Sequence, residues 1–175
     1  MLVKKIINYG RDNGIKALTL KLKERVKYKK EANAYMAKNV LNKEDIKAQR
    51  LEKYDKPIKI SICVPVYNTD KKMLEEMLLS VLNQTYKNWE LCIADGSTSN
   101  YAYIENIIRG INDKRIKYQK LGINRGIVDN SNIACSFATG EYIALLDHDD
   151  VLAPNALYEV RKAIDKGADY IYTDE

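Results

Sequence analysis

From Ile58 onward the chain alternates between short, nearly unbroken apolar runs and longer stretches in which apolar residues recur every three or four positions. The run IKISICVPVY, from Ile58, is rich in β-branched residues and predicts a strand buried on both faces. DKKMLEEMLLSVLNQ then takes up helical spacing, with Met73, Met77, Val81 and the leucines marking the apolar face. WELCIAD predicts a second strand that ends in a polar turn, Asp95-Gly96-Ser97-Thr98. YIENIIRGIND predicts a helix, RIKYQKL a strand, and GIVDNSNIACSFATG a helix stopped by Gly140. EYIALLD predicts the fourth strand, PNALYEVRKAIDKG a helix with Pro154 near its first turn, and DYIYTDE the start of another strand. Strands alternating with helices of this length predict an α/β fold with a mostly parallel sheet.

The residues before Pro57 follow a different pattern. In IKALTLKLKERVKYKK, Ile15, Leu18, Leu22 and Val26 fall at three- and four-residue spacing with lysines between them, which predicts an amphipathic helix. Asn42, ahead of KEDIKAQRLEKY, is placed to cap a further helix that must stop before Pro57. The chain therefore divides into a basic helical leader, residues 1–56, and an α/β domain, residues 57–175.

Charge sharpens that division. The leader carries 16 Lys and Arg against 7 Asp and Glu, while the remainder carries 13 against 17. A basic amphipathic helix suits three settings: solvent, packing against protein, or the surface of an anionic membrane, peripherally through residues 1–56. Nucleic acid is disfavoured, because no aromatic residues are arranged along a basic strand.

No run of eighteen apolar residues predicts a transmembrane helix, and MLVKKIINYGRDNG lacks the apolar core of a secretory signal. The expected location is the cytoplasm, with attachment to the inner face of the plasma membrane as the further expectation. Cys63, Cys92 and Cys135 sit in apolar company without metal-ligand spacing, and read as small buried hydrophobes.

In an open α/β sheet, ligands bind outside the carboxyl ends of the strands, near the point where strand order reverses. The polar sets fall there: Pro65, Tyr67 and Asn68 after the first strand, Asp95 to Thr98 after the second, Asp147 to Asp150 after the fourth. Clustered carboxylates repel one another and favour a site with a compensating cation. Oxygen ligands of this kind suit Mg2+ or Mn2+ bridging to phosphates. The bland reading is that Asp149 and Asp150 are solvated turn residues, one capping the helix near Pro154; spacing leaves the two readings even. Asp95 alone suits an Asx-turn with Ser97, and Tyr67 alone suits packing. His148 has no serine or cysteine motif around it, and neither GxGxxG nor GxxxxGK[ST] follows the first strand.

In combination, SICVPVYNTDKKMLEEMLLSVLNQTYKNWELCIADGST, NRGI and ATGEYIALLDHDD with Pro154 after it resemble glycosyltransferase family two. That is a family of inverting sugar transferases with the GT-A fold, and the resemblance covers about residues 57–175. It implies a Rossmann-like GT-A nucleotide-binding half with a metal-dependent nucleotide-sugar site. The leader resembles that of bacterial members that build surface polysaccharides.

By position, the resemblance implies that Pro65 and Tyr67 wall the nucleotide, with Tyr67 near the base, and that Asp95 accepts a hydrogen bond from the base. Asp147-His148-Asp149 matches the D-x-D motif. Asp149 would be the direct metal ligand with Asp147 beside it, and Asp147 and His148 would lie by the ribose and phosphates. Asn124, Arg125 and Gly126 match a loop near the nucleotide, with Arg125 placed for phosphate. The implied cofactor is Mn2+ or Mg2+, the implied donor a UDP-sugar, and the implied acceptor a saccharide or a lipid-linked sugar.

The sequence departs from the pattern in two places. Ala94 stands where many members carry a second aspartate, which leaves base recognition to Asp95. No residue matches the acidic general base of the acceptor half, so that base is expected beyond Glu175. Two other readings stay open: a non-catalytic module that keeps the fold, and a nucleotidyltransferase. The latter is disfavoured because NTDKKMLEE occupies the place of its Gly-rich, basic loop.

Overall fold

The computed structural model describes residues 41–172. The amphipathic segment around residues 15–26 lies outside them, as do Thr173, Asp174 and Glu175. Helix α1 (Lys43–Leu51) starts one residue after Asn42 and ends well before Pro57. Strand β1 (Ile60–Val66) follows, then α2 (Lys71–Leu82), β2 (Trp89–Asp95), a single 3-10 turn (Ser99–Tyr101) and α3 (Tyr103–Gly110). The chain continues through β3 (Ile116–Lys120), α4 (Gly126–Ser136), β4 (Tyr142–Leu145) and α5 (Ala156–Asp165). The compact unit that contains the sheet begins at Lys43, so α1 belongs with it.

The four strands are all parallel, in the order β3-β2-β1-β4. Every residue of β1 and β2 is buried, as two apolar runs at the centre of a sheet require. The chain winds outward from β1 to β2 and β3, then crosses back to place β4 on the other side of β1. The order therefore reverses between β1 and β4, and their carboxyl ends flank the switch point.

The core has two parts. Ile60, Ile62, Val64 and Val66 meet Leu74, Met77, Leu78 and Val81 of α2, Ile104 and Ile108 of α3, and Leu157 of α5. On the other face, Cys63, Cys92 and Ala94 meet Ala134 and Cys135 of α4. The cysteines are buried or half-buried, as their surroundings predict, but their convergence was not legible in the sequence. Cys63 and Cys92 are register partners across β1 and β2, and contact with Cys92 together with burial pushes the Cys63 thiol up.

Three expectations need correction. Met73 is 48% exposed while its neighbour Leu74 is fully buried, so the apolar face of α2 runs through Leu74, Met77, Leu78 and Val81. Helix α4 ends at Ser136, short of Gly140. Gly140 is instead needed for close approach: a Cβ there would lie 2.6 Å from the Lys59 carbonyl and 2.7 Å from Ser61 Oγ. Residues 169–172 form no strand; Tyr170 and Tyr172 are 86% and 82% exposed, and alternating apolar residues make no strand without a ladder partner.

The start of β4 is anchored by a buried carboxylate. Glu90 accepts from Ser61 Oγ at 2.7 Å and from the Thr139 backbone N–H and hydroxyl, and pairs with Lys117 Nζ at 2.9 Å. Burial pushes this carboxyl up, but the donors from Ser61, Thr139 and Lys117 outweigh it and bring it down to about 2.

Candidate functional site

A pocket of about 240 Å³ opens at the switch point. Pro65 and Tyr67 from the end of β1 form one wall, and Asp147, His148 and Asp149 from the end of β4 form the other. Tyr67 is 42% exposed, so its ring is available to a ligand. The next residue, Asn68, has φ +50°, a left-handed conformation that asparagine tolerates better than most residues. There its N–H donates to Ser97 Oγ at 2.8 Å, and its Oδ1 accepts from the Thr98 N–H at 3.0 Å. These two bonds latch the loop after β1 to the loop after β2.

Across the pocket, Leu146 N–H continues the sheet by donating to the Cys63 carbonyl, and Asp147 begins a turn closed by Asp150 N–H on its carbonyl at 3.3 Å. The residue that precedes α5 is Asn155, with no side-chain cap bond, so neither Asp149 nor Asp150 caps that helix. The capping part of the bland reading fails, while Asp149 and Asp150 are exposed residues of this turn, as it expected. Among the described residues, no Lys or Arg pairs with Asp147, Asp149 or Asp150. His148 Nδ1 is buried without a hydrogen-bond partner, 3.9 Å from Asp149 Oδ1.

The remaining pocket wall comes from Asn124, Ile127 and Asn130. Asn130 is 2% exposed and holds the NRGI loop: its Nδ2 donates to Asn124 Oδ1 at 2.8 Å and its Oδ1 accepts from the Arg125 N–H. Gly126, at φ +86°, makes the turn into α4, and its N–H also donates to Asn124 Oδ1. A Cβ on Gly96 would sit 3.0 Å from Asn130 Nδ2 and 3.1 Å from Asn124 Cα, so the loop after β2 packs on the same hub. The sequence reading missed Asn130. It had no distinct signal there, because Asn130 stands in the polar run Asp129-Asn130-Ser131-Asn132. Arg125 is exposed and does not line the pocket.

Asp95 does not line it either. Its side chain is fully buried, with Oδ1 accepting from the Ser97 N–H at 2.8 Å. Its Oδ2 accepts from Tyr118 OH at 2.6 Å and Lys120 Nζ at 2.9 Å. Burial pushes this carboxyl up, and Lys120, Ser97 and Tyr118 outweigh that to hold it below the ordinary carboxylate range. The Asx-type bond to Ser97 is present, and Asp95 ties the ends of β2 and β3 together from behind the pocket wall.

Among the described residues, no group of three or more His, Cys, Asp and Glu side chains is arranged to hold a metal by itself. A hard divalent ion that keeps waters and bridges to phosphate needs only one or two carboxylates. The half-exposed Asp149 carboxylate, beside the His148 nitrogen and without a Lys or Arg partner among the described residues, fits that requirement.

Residues 61–174 match the family model described as Glycosyl transferase family 2. Chondroitin synthase of Pasteurella multocida (strain Pm70) is 37% identical over 143 residues, 81% of this chain and 13% of that protein. The crystal structure of S. aureus TarS 1-349 in complex with UDP-GlcNAc superposes with a TM-score of 0.55 at 29% identity, covering 62% of this chain and 32% of that one. Mannosyltransferase PcManGT from Pyrobaculum calidifontis, in complex with GDP-Man and Mn2+, superposes with a TM-score of 0.53 over 67% of this chain and 37% of that one. At 23% identity it shares the fold. The chain spans between 10% and 39% of the length of eight curated relatives it matches.

Proposed function

The chain belongs to glycosyltransferase family 2, and on that premise we propose that residues 57–175 are the donor-binding half of an inverting glycosyltransferase that takes a nucleotide-diphosphate sugar. A UDP-sugar is the expected donor, and a saccharide or lipid-linked acceptor would receive the hexosyl group. The observation that carries this reading is one pocket at the β1/β4 switch that sets an exposed aromatic ring opposite carboxylates with no Lys or Arg partner among the described residues.

Each wall has its part in the proposal. Tyr67 offers a flat ring on which a base can stack, with Pro65 beside it. Asp147 and His148 stand where the ribose and phosphates would pass. Asp149, with Asp147 beside it, would hold Mg2+ or Mn2+, which would supply positive charge against a diphosphate leaving group. Asn130 keeps the Asn124 loop against the nucleotide, and Asp95 supports the loop after β2 from behind. A general base must lie within hydrogen-bond reach of the acceptor hydroxyl, and it is proposed to come from outside residues 57–175.

Among the described residues, no helix is long and apolar enough to cross a membrane. The basic leader is proposed to hold the protein on the cytoplasmic face of a membrane that carries lipid-linked acceptors. Salt-sensitive pelleting with anionic liposomes is the expected result, and failure to pellet at low salt removes that part of the proposal. The donor reading is tested by titrating the protein with UDP with and without Mn2+. Binding that tightens with Mn2+ is expected; binding indifferent to the metal overturns the metal-assisted reading, and no binding of any nucleoside diphosphate overturns the donor site.

A further inference from the structure

We propose that the protein carries a second ligand site, at the opposite end of the sheet from the crevice, that takes a hydroxyl-bearing phosphate monoester. A pocket of about 140 Å³ lies where the chain enters β1 and β2, and its lining includes Gln49, Arg50, Glu52, Tyr54, Thr85 and Lys87. β1 has seven residues, so the two pockets are separated by roughly 20 Å of strand.

Three polar atoms of this lining are buried with no hydrogen-bond partner: Gln49 Oε1, Tyr54 OH and Thr85 Oγ1. Buried polar groups are nearly always paired, and three orphans on one pocket call for something that fills it. Two of the three positions, Thr85 and Tyr54, are held in place by their neighbours. Thr85 is 1% exposed and its N–H donates to the Pro154 carbonyl at 2.8 Å. The Tyr54 ring stands edge-on to Tyr86 at 5.2 Å and faces the Arg161 guanidinium at 5.1 Å. Gln49 sits on α1, within the same compact unit.

The chemistry of the lining selects the occupant. Arg50 Nη2 donates to the Asn83 carbonyl at 3.5 Å and Lys87 Nζ to the Gln84 carbonyl at 2.7 Å, which leaves further N–H groups on both cations. Burial, then the Arg50 and Arg115 charges, push the Lys87 ammonium down, so cations crowd here and an anion would relieve them. Glu52 accepts from the Tyr158 hydroxyl and hinders the ionisation of both Tyr158 and Tyr54, so one carboxylate stands among the two cations and the lining keeps a net positive charge. Two cations and two hydroxyl donors are more than the two oxygens of a carboxylate use, and they suit the three terminal oxygens of a phosphate monoester. Gln49 Oε1 is an acceptor and calls for a hydroxyl on the same ligand. The space exceeds the roughly 30 Å³ of one water, which leaves room for such a group.

The test is a calorimetric titration of the intact protein, at constant ionic strength, with glycerol 3-phosphate, and a parallel binding assay on phosphatidylcholine vesicles with and without lysophosphatidic acid, which keeps a free hydroxyl beside its phosphate. Binding of glycerol 3-phosphate supports a soluble ligand, and binding of lysophosphatidic acid vesicles alone supports a lipid headgroup. Both outcomes uphold the phosphate monoester site. Thr85→Val, which removes only the orphaned hydroxyl, and the pair Arg50→Gln with Lys87→Gln on the exposed rim should each weaken binding at least tenfold. Asp149→Ala should leave it unchanged, so a protein that binds here without binding UDP keeps this inference and loses the donor-site reading. Absence of binding to either probe, or binding that survives Thr85→Val and the double substitution, overturns the inference.

Discussion

Lys120 Nζ lies 2.9 Å from Asp95 Oδ2, and the carboxylate it holds is fully buried. The two residues end β3 and β2, where they are partners in register, so their ion pair ties the edge strand of the sheet to β2. Lys120→Met leaves a buried carboxylate with Tyr118 and Ser97 but without its counter-charge. A loss of about 1–3 kcal/mol is expected at pH 7. Because the folded-state value of Asp95 is depressed, its contribution is present above the unfolded value of about 3.9 and is lost as pH falls through the folded value. Urea unfolding of wild type and Lys120→Met should therefore diverge at pH 7 and converge towards pH 3. Equal divergence at both pH values would count against the ion pair.

Glu90 makes a stronger case of the same kind, with a depressed value of about 2 against roughly 4.3 for an unfolded glutamate. Glu90→Gln keeps the shape but weakens the acceptor for Ser61, Thr139 and Lys117. It should cost roughly 2–4 kcal/mol at neutral pH, an effect that fades between about pH 4 and pH 2. Gly140→Ala tests the same corner by steric means, since its Cβ would meet Lys59 O at 2.6 Å and the Ser61 N at 2.9 Å. Thermal unfolding should show a loss of at least about 2 kcal/mol for this single methyl; a stability within about 0.5 kcal/mol of wild type would mean that β4 shifts freely against β1.

The parts of this fold that were legible in the sequence are those where one local pattern has one physical cause. β1 and β2 read as unbroken apolar runs because both of their faces are covered, and Asp147 to Asp149 read as a polar set at the end of β4, where they line the pocket. Where a residue type serves two purposes, the sequence did not distinguish them. A glycine that stops a helix and a glycine that lets two segments touch look alike, which is why Gly140 was assigned to α4 rather than to its contact with Ser61. Asn130 escaped notice because its partners, Asn124 and the Gly96 backbone, are brought to it by the fold. Asp95 resembled a ligand-binding residue, but Tyr118 and Lys120, more than twenty positions away, occupy its carboxylate. The orphaned atoms of Gln49, Tyr54 and Thr85 had no sequence signal, because being unpartnered is a property of the packed chain.

Tyr67 should contribute affinity without contributing much stability. Its ring is 42% exposed on the pocket wall, so Tyr67→Ala removes little core contact. Stacking of a base on an aromatic ring is worth about 1–3 kcal/mol, so UDP should bind roughly 5- to 150-fold more weakly. Tyr67→Phe keeps the ring and should restore most of the affinity. If Phe fails where Tyr succeeds, the hydroxyl rather than the stacking face is what the nucleotide uses.

Asp149 separates metal binding from every other role of the acidic turn. Its side chain is 52% exposed, it takes no part in capping α5, and it pairs with no Lys or Arg among the described residues. Asp149→Asn is thus expected to leave the unfolding temperature within error of wild type, since it removes charge without removing buried contacts. The carboxylates of Asp147 and Asp150 stand two positions and one position away, so the charge lost by Asp149→Asn also lessens their mutual repulsion. A small gain in stability at low salt is consistent with that. The effect on ligand should run the other way: with Mn2+ present, UDP should bind at least about tenfold more weakly, and the dependence on Mn2+ should largely disappear. Asp150→Asn, in the same turn but outside the pocket lining, is the control, and its UDP affinity should match wild type. Equal losses in both variants would show that the turn attracts the metal through its net charge. A loss confined to Asp149→Asn assigns the ligand position to that one carboxylate.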